Sequence, residues 1–417
     1  MTQTKRKSHK QKNKHTRKRR NVPKDLYAIS NSIRSVVGDN LYMHYRNKAV
    51  KNLTLRNISI LDTVLRHTIR KDMIKNKSFT PSVNKRLVSI KSIDDHPLFS
   101  CDTNSPLEKT VSSSSLKVQI KHNGNFICTD VFSPLAKKAF LRSLKSNKIS
   151  CKHIIPPIQY HANCWFNTMF MCFFISDKGA KFTRYLRQAM IEGKLINGKP
   201  ITPKSLQNSF AIFNAAIEAV QNKNNEPINS LALNTNSIIH NIYKSIPKSF
   251  EHSHYGIKDV DEYGNPLVFY SDLIEYIDAK SAGSPTLKVL AGSTEVQDFL
   301  SGSSNETSDI IAVQLFNNSY SPSYAQANNL KKRTTINHAT NTYKLDSAII
   351  RDNNHTHFSC AITCNNREML YDGAAFTKLI SKKWKSLINT NKDWRLPGSK
   401  TQWNFKKGYQ ILFYYKH

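Results

Sequence analysis

Acid is scarce in this chain beside base. Only 29 Asp and Glu stand against 62 Lys and Arg, giving a formal charge of +33. Ten of the bases fall within residues 1–20, and no acid precedes Asp25. Removing that stretch leaves 52 bases and 29 acids, still +23, so the positive field belongs to the whole chain. A chain of this kind adheres to nucleic acid or other polyanions by releasing counterions. Simple solvation is the blander reading of the same composition. Long apolar runs are also missing. The longest, Cys164–Ile175, has twelve residues, too few to span a bilayer, so no membrane partner is expected. The basic, polar N-terminus has no apolar segment of the kind a secretory signal needs.

Cysteine patterning excludes further classes. The seven cysteines (Cys101, Cys128, Cys151, Cys164, Cys172, Cys360 and Cys364) contain no C-x-x-C pair, which argues against a zinc ribbon. An odd count at irregular spacing argues against a disulfide framework and fits a reducing intracellular compartment: nucleus, cytoplasm or a virion assembled there. There is no Gly-rich phosphate loop, no helical zinc-binding His pair and no internal repeat. No metal and no cofactor are expected.

What is present is a core-forming chain, 39% hydrophobic and 10% aromatic. Residues 1–24 read as a disordered basic arm, in which Lys5, Arg6, Lys7, Arg17, Lys18, Arg19 and Arg20 are candidate nucleic-acid contacts. Residues 25–98 are mostly helical in pattern: Ile58, Leu61, Leu65 and Ile69 form one stripe behind a cap at Asn57. Residues 99–150 read as a linker followed by a hairpin about Asn123-Gly124. Residues 151–417 form the remaining domain. Its first half predicts a buried helix after Cys164 and helices near 180–192, 206–222 and 230–245. Its second half predicts strands at DIIAVQLF, YKLDSAII, HFSCAIT, EMLYDG and YQILFYYK. Helices first and sheet second is an α+β order.

One stretch carries chemistry. In HANCWFNTMF, Cys164 precedes Trp165, Phe166, Met169, Phe170, Met171, Phe173 and Phe174, a helix without a polar face that must be buried all round. A cysteine in the first turn of such a helix meets unpaired N–H groups and the positive end of the macrodipole, which favour the thiolate. The local pattern also suits one more small core residue, as Cys172 does. Gln159, five residues upstream, offers an amide donor for an oxyanion. A nucleophile also needs a base. In HTHFSCAITCNNREMLYDG, a two-residue turn at Asn365-Asn366 pairs positions whose numbers sum to 731. Ser359 then faces Asp372, and His357 and Asp372 become diagonal neighbours, within roughly 7 Å between Cβ atoms. His357 would move the thiol proton while Asp372 holds the ring. His355 is the second candidate base.

These residues resemble the ubiquitin-specific proteases. CWFNT resembles that family's Cys box, C-[YW]-x-N-[ST]; HFSCAI followed by EMLYDG resembles its His box, and GYQILFYYK its closing strand. DIIAVQLF and YKLDSAII are similar to the strands that flank these boxes. The resemblance covers about 151–417 in separated islands. It implies a papain-like cysteine protease fold, with a helical subdomain carrying the Cys and an antiparallel sheet carrying the His and Asp, here behind a basic N-terminal extension. By position it implies Cys164 as nucleophile, His357 as base, Asp372 as its orienting partner and Gln159 in place of the family's oxyanion Asn. Departures are the tripeptide His161-Ala162-Asn163 where the family has Gly-Asn-Thr, Thr356 where it has Gly, Gly373 after the Asp, and the absence of the two zinc-knuckle pairs.

The resemblance predicts a thiol hydrolase that cleaves (iso)peptide bonds after the C-terminus of ubiquitin or a ubiquitin-like modifier. An endoprotease with another substrate is a variant of this reading, and a basic packaging protein with an inactive protease fold is the alternative from a different class. Lys- and Asn-rich composition on an isolated protease suggests a large DNA virus or a similar AT-rich genome.

Overall fold

The computed structural model describes residues 116–145, 149–152, 154, 156–157, 159, 163–221, 235–246, 267, 270, 273, 276–277, 285–317, 321–338, 341–352, 357–374, 379–396 and 402–417. The basic arm with its seven named Lys and Arg, the helical stripe of 25–98, His355 and Thr356 lie outside the described residues.

The fold is α+β. It opens on a hairpin, β1 (Lys117–His122) and β2 (Asn125–Asp130). Both turn residues have positive φ, 50° at Asn123 and 84° at Gly124, as a two-residue turn matched to strand twist requires. Helix α1 (Pro134–Lys145) follows, with proline at its first position, where the missing N–H costs nothing, and Ala136, Phe140 and Leu144 buried on one stripe. Leu116, Val118 and Ile120 of the hairpin join the same core as the helices beyond.

Helix α2 (Cys164–Phe174) is the centre of the molecule, with all eleven residues buried. Phe166, Phe170 and Phe174 reach Phe213 at ring separations of 5.7, 5.9 and 5.3 Å, while Phe173 meets Phe413 on the sheet at 5.5 Å. Each such ring stabilises by about 1.5–3 kcal/mol on burial, so α2 needs neighbours on every side. α3 (Asp177–Phe182), α5 (Lys204–Gln221) and the sheet pack against it, and α4 (Arg184–Glu192) and α6 (Thr235–Ser245) complete the same core. Ser176 caps α3 by accepting from the Gly179 amide at 3.1 Å, and α4 stops at Gly193 with φ 68°.

The large sheet has eight strands. Its order is β3 (Leu287–Leu290), β4 (Ile310–Leu315), β10 (Gln410–Lys416), β6 (Thr342–Arg351), β7 (Phe358–Cys364), β8 (Arg367–Tyr371) and β9 (Ile380–Ser381), with β5 (Thr335–Asn337) paired to β6. β3 and β4 run parallel; the other described pairs are antiparallel. Both faces are covered. Ile349, Cys360, Ile362, Tyr371 and Phe413 face the helices. Ala348, Ile350, Ala361, Leu370 and Leu412 face a second core made with α7 (Ser293–Ser301) and Trp384, Trp394 and Trp403. Burial on two faces explains why these strands read as nearly continuous apolar runs.

Two sequence expectations change. Cys151 and Cys364 form a disulfide across 213 positions with Cα atoms 6.0 Å apart, and Cys128 is bonded as well, so irregular spacing did not exclude cross-links. Cys164, Cys172 and Cys360 are free and buried. The region between the predicted helices and DIIAVQLF also holds β3 and α7, which were not expected.

Candidate active site

His357 sits one residue before β7, where the backbone of β6 ends. Its amide donates to Asp352 Oδ1 at 3.1 Å, and the Asp352 amide donates to the His357 carbonyl at 2.8 Å. The imidazole lies against the Trp403 ring, with centroids 6.1 Å apart. Asp372 follows β8. The observed register, from Cys364 opposite Arg367 to Cys360 opposite Tyr371, keeps the sum of 731 that the Asn365-Asn366 turn predicts. Carried one step further it sets Ser359 opposite Asp372. The outcome is a contact of 2.6 Å between His357 Nε2 and Asp372 Oδ1, with neither side chain reaching solvent. The same carboxylate oxygen accepts the Ala374 amide at 2.9 Å, which fixes its orientation.

With Nε2 engaged by Asp372, Nδ1 is the ring atom left for a reacting group. Cys164, the first residue of α2 and 5% exposed, lies close enough to influence the imidazole. Burial disfavours a charged ring, yet the charge and hydrogen bond of Asp372, with Cys164 beside them, outweigh it and hold the His357 pKa well above its usual 6.5. The three residues singled out in the sequence are therefore neighbours, although α2 and the β7–β8 hairpin are far apart along the chain.

Gln159 is brought to the same place. It is fully buried, and its backbone N–H donates to the Gly373 carbonyl at 3.3 Å. A Cβ at Gly373 would stand 2.8 Å from Tyr371 Oη and 3.1 Å from Gln159 Cβ. Glycine at 373 thus lets the segment ahead of α2 lie directly against the residue after Asp372. Tyr371 reinforces this contact by donating its hydroxyl to the Pro157 carbonyl at 2.6 Å. Its phenol is pushed well above 10, first by burial and then by the charges of Cys360, Asp372 and Cys164, while Asn167 opposes the shift; it remains a donor. Asn163, the residue before α2, makes no side-chain cap and instead donates to Thr235 Oγ1 at 2.5 Å. The first turn of α2 therefore keeps its amides free of a capping side chain from that residue.

Tyr371, Asp352 and Trp403 went unnoticed as site residues in the sequence, and Gly373 was marked only as a departure from the family pattern. The run Tyr371-Asp372-Gly373 carried a signal for two of them: an aromatic and a glycine flanking a buried acid. Nothing local marked Asp352 or Trp403. Among the described residues, no group of three His, Cys, Asp or Glu side chains is placed to hold a metal ion, and no helix is long and apolar enough to cross a membrane.

No protein-family model and no curated protein matches this chain. Solved structures are distantly similar. One is the SAGA DUB module of Ubp8, Sgf11, Sus1 and Sgf73 bound to monoubiquitin, at 9% identity, covering 87% of this chain and 99% of that chain, with a TM-score of 0.38. Another is a yeast SAGA DUB module with an Sgf73 mutant, at 8% identity over 91% of this chain and 99% of that one, with a TM-score of 0.28. Likeness at this level carries no argument about activity, which rests on the site itself.

Proposed function

We propose that the chain is a papain-like thiol hydrolase that cleaves an amide or isopeptide bond through Cys164, His357 and Asp372. One observation carries the reading: a free cysteine at a helix start, an imidazole that feels its charge and a buried carboxylate on Nε2 meet in one cluster. The Cys164 thiolate attacks the substrate carbonyl carbon. Gln159 and the uncapped start of α2 stabilise the resulting oxyanion. The His357 imidazolium gives its proton to the leaving amine as the C–N bond breaks, which leaves a thioester on Cys164. His357 then takes a proton from water, whose oxygen attacks the thioester and releases a carboxylate and the thiol. Asp372 keeps Nε2 occupied, so that Nδ1 is the atom that exchanges protons.

The substrate class proposed is ubiquitin or a ubiquitin-like modifier. Support comes from the Cys-box and His-box resemblance of CWFNT and HFSCAI. The excess of 62 bases over 29 acids favours a second reading, an endoprotease on the same scaffold whose substrate is not ubiquitin. The test is a ubiquitin bearing a C-terminal thiol-reactive warhead, alongside iodoacetamide as a generic alkylator. The leading reading expects a covalent adduct in the wild type and none in Cys164→Ala. Rapid iodoacetamide labelling of Cys164 without a ubiquitin adduct leaves the endoprotease. No preferential labelling of Cys164 by either reagent means an inactive fold.

A further inference from the structure

Apart from Trp403, which packs against His357, residues 382–407 are not used by the proposed chemistry, yet they hold three of the four tryptophans and eight bases against a single acid, Asp393. Their rings are buried in one stack. Trp384 lies over Phe405 at 6.2 Å and 20°, Phe405 over Trp394 at 6.3 Å and 30°, and Trp394 over Trp403 at 5.0 Å and 25°. The bases beside these rings in sequence turn outward. Lys383, Lys392, Arg395 and Lys407 are exposed and Lys406 is half-buried. Of these five, only Lys407 forms an ion pair among the described residues, at 3.6 Å to Asp393. Lys385 differs, because Asp346, Glu368 and Asp177 surround it.

The surface is held rigid from beneath. The buried Lys332 donates its ammonium to the carbonyls of Ala327, Ile388 and Phe405, which ties three loops together. Asn389 exchanges two hydrogen bonds of 2.8 Å with the Lys332 backbone, and Lys406 Nζ reaches the Asn328 carbonyl at 2.9 Å. A protein-binding patch would expose aromatic or aliphatic anchors. Here the large rings are all inside, and Tyr324 is the one exposed large hydrophobic among the described residues. A single-strand site would offer rings for bases to stack on, and these rings are covered. Exposed cations on a braced backbone, most of them outside any ion pair, without anchors or stacking platforms suit a repeating line of phosphates.

We propose that this face, with Lys383, Lys392, Arg395 and Lys407 as its contacts, binds the phosphate backbone of duplex nucleic acid without reading sequence. The stack beneath it ends against His357, with the Trp403 and His357 rings 6.1 Å apart.

The test measures affinity for a labelled 20-base-pair duplex against salt by fluorescence anisotropy, using the full chain so that the N-terminal arm contributes equally throughout. Lys383→Gln, Lys392→Gln, Arg395→Gln and Lys407→Gln are combined in one variant. Lys138→Gln, Lys194→Gln, Lys199→Gln and Lys288→Gln, exposed residues elsewhere, form the control. The slope of log K against log salt should shrink by roughly 2–4 units in the first variant, at about 0.9 for each phosphate no longer neutralised, and by less than one unit in the control. Single Lys392→Gln and Arg395→Gln variants should each reduce the slope by about 0.9, which keeps the test readable if the combined variant misfolds. Equal slopes in the two combined variants, tighter binding of single strand than duplex, or displacement of duplex by polyglutamate at equal charge would each overturn the proposal.

Discussion

Asp372 meets His357 where neither side chain touches water, and this determines what removing its charge does. The carboxylate favours the imidazolium both by its charge and by a hydrogen bond, against the burial that disfavours it. In Asp372→Asn the side-chain oxygen still accepts from Nε2, so the ring keeps its orientation but loses its counter-charge, and the His357 pKa falls. The imidazolium is the acid that protonates the leaving amine, so the alkaline limb of the pH–rate profile should move to lower pH. The thiolate–imidazolium pair should also form less readily, so alkylation of Cys164 by iodoacetamide should slow at acid pH. We expect kcat/KM to drop about 100-fold or more, the scale of general acid–base catalysis. The alkylation profile serves whether or not ubiquitin is the substrate. Superimposable profiles for wild type and Asp372→Asn would mean that the carboxylate plays no part in setting the pair.

The β7–β8 hairpin is the element that makes this contact, and its turn is the place to test it. Asn365 and Asn366 sit at φ 50° and 59°, and their backbone N–H groups donate to the two carboxylate oxygens of Asp177 at 2.6 and 2.8 Å, which docks the turn on the start of α3. A β-branched residue resists positive φ, so Asn366→Val should cost about 1–2 kcal/mol, whereas Asn366→Gly should be neutral or stabilising. A slip of one residue would carry Asp372 to the other face of the sheet. Asn366→Val should therefore also slow Cys164 alkylation, and equal melting temperatures for the two variants would show that the turn does not set the register. This hairpin was legible because two asparagines between apolar runs specify a short turn, and a short turn specifies the pairing. Helix α2 and strands β4 and β10 were legible because each is a dense apolar run, and β6 because its second half, Ala348-Ile349-Ile350, is one. β3, α7 and β9 were not: β3 is four residues long and gains its place by a parallel pairing to β4, β9 has two residues, and α7 buries only Val296, Phe299 and Leu300. In the site, the His357–Asp372 pairing could be read from register, while Cys164 was marked by the resemblance of CWFNT to a Cys box. The Tyr371–Pro157 bond, which joins positions 214 apart, leaves no local trace.

At the scale of the whole molecule, the two halves of the site belong to different layers, with Cys164 in the helical layer and His357 and Asp372 on the sheet. The Cys151–Cys364 disulfide joins these layers, linking the segment that leads to Gln159 and α2 with the last residue of β7. The chain between the two cysteines contains both Cys164 and His357, so the bond closes a loop around the site. Closing a loop this long restricts the unfolded chain strongly, and native disulfides typically contribute about 2–4 kcal/mol. Noncovalent contacts already hold the same segment near its other end, through Pro157 to Tyr371 and Gln159 to Gly373. Losing the bond should therefore lower stability without dismantling the cluster. Under oxidising conditions Cys151→Ser should melt below the wild type by about 5–10 °C, at roughly 2–4 °C per kcal/mol. A phosphine reductant should bring both proteins to a common melting temperature, because it removes the bond from the wild type and any effect through Cys128 is shared. Comparing the two proteins, rather than reduced with oxidised wild type, isolates this one bond. If the gap persists under reductant, Cys151 acts through packing; if no gap exists under oxidant, the two layers are held by the core alone.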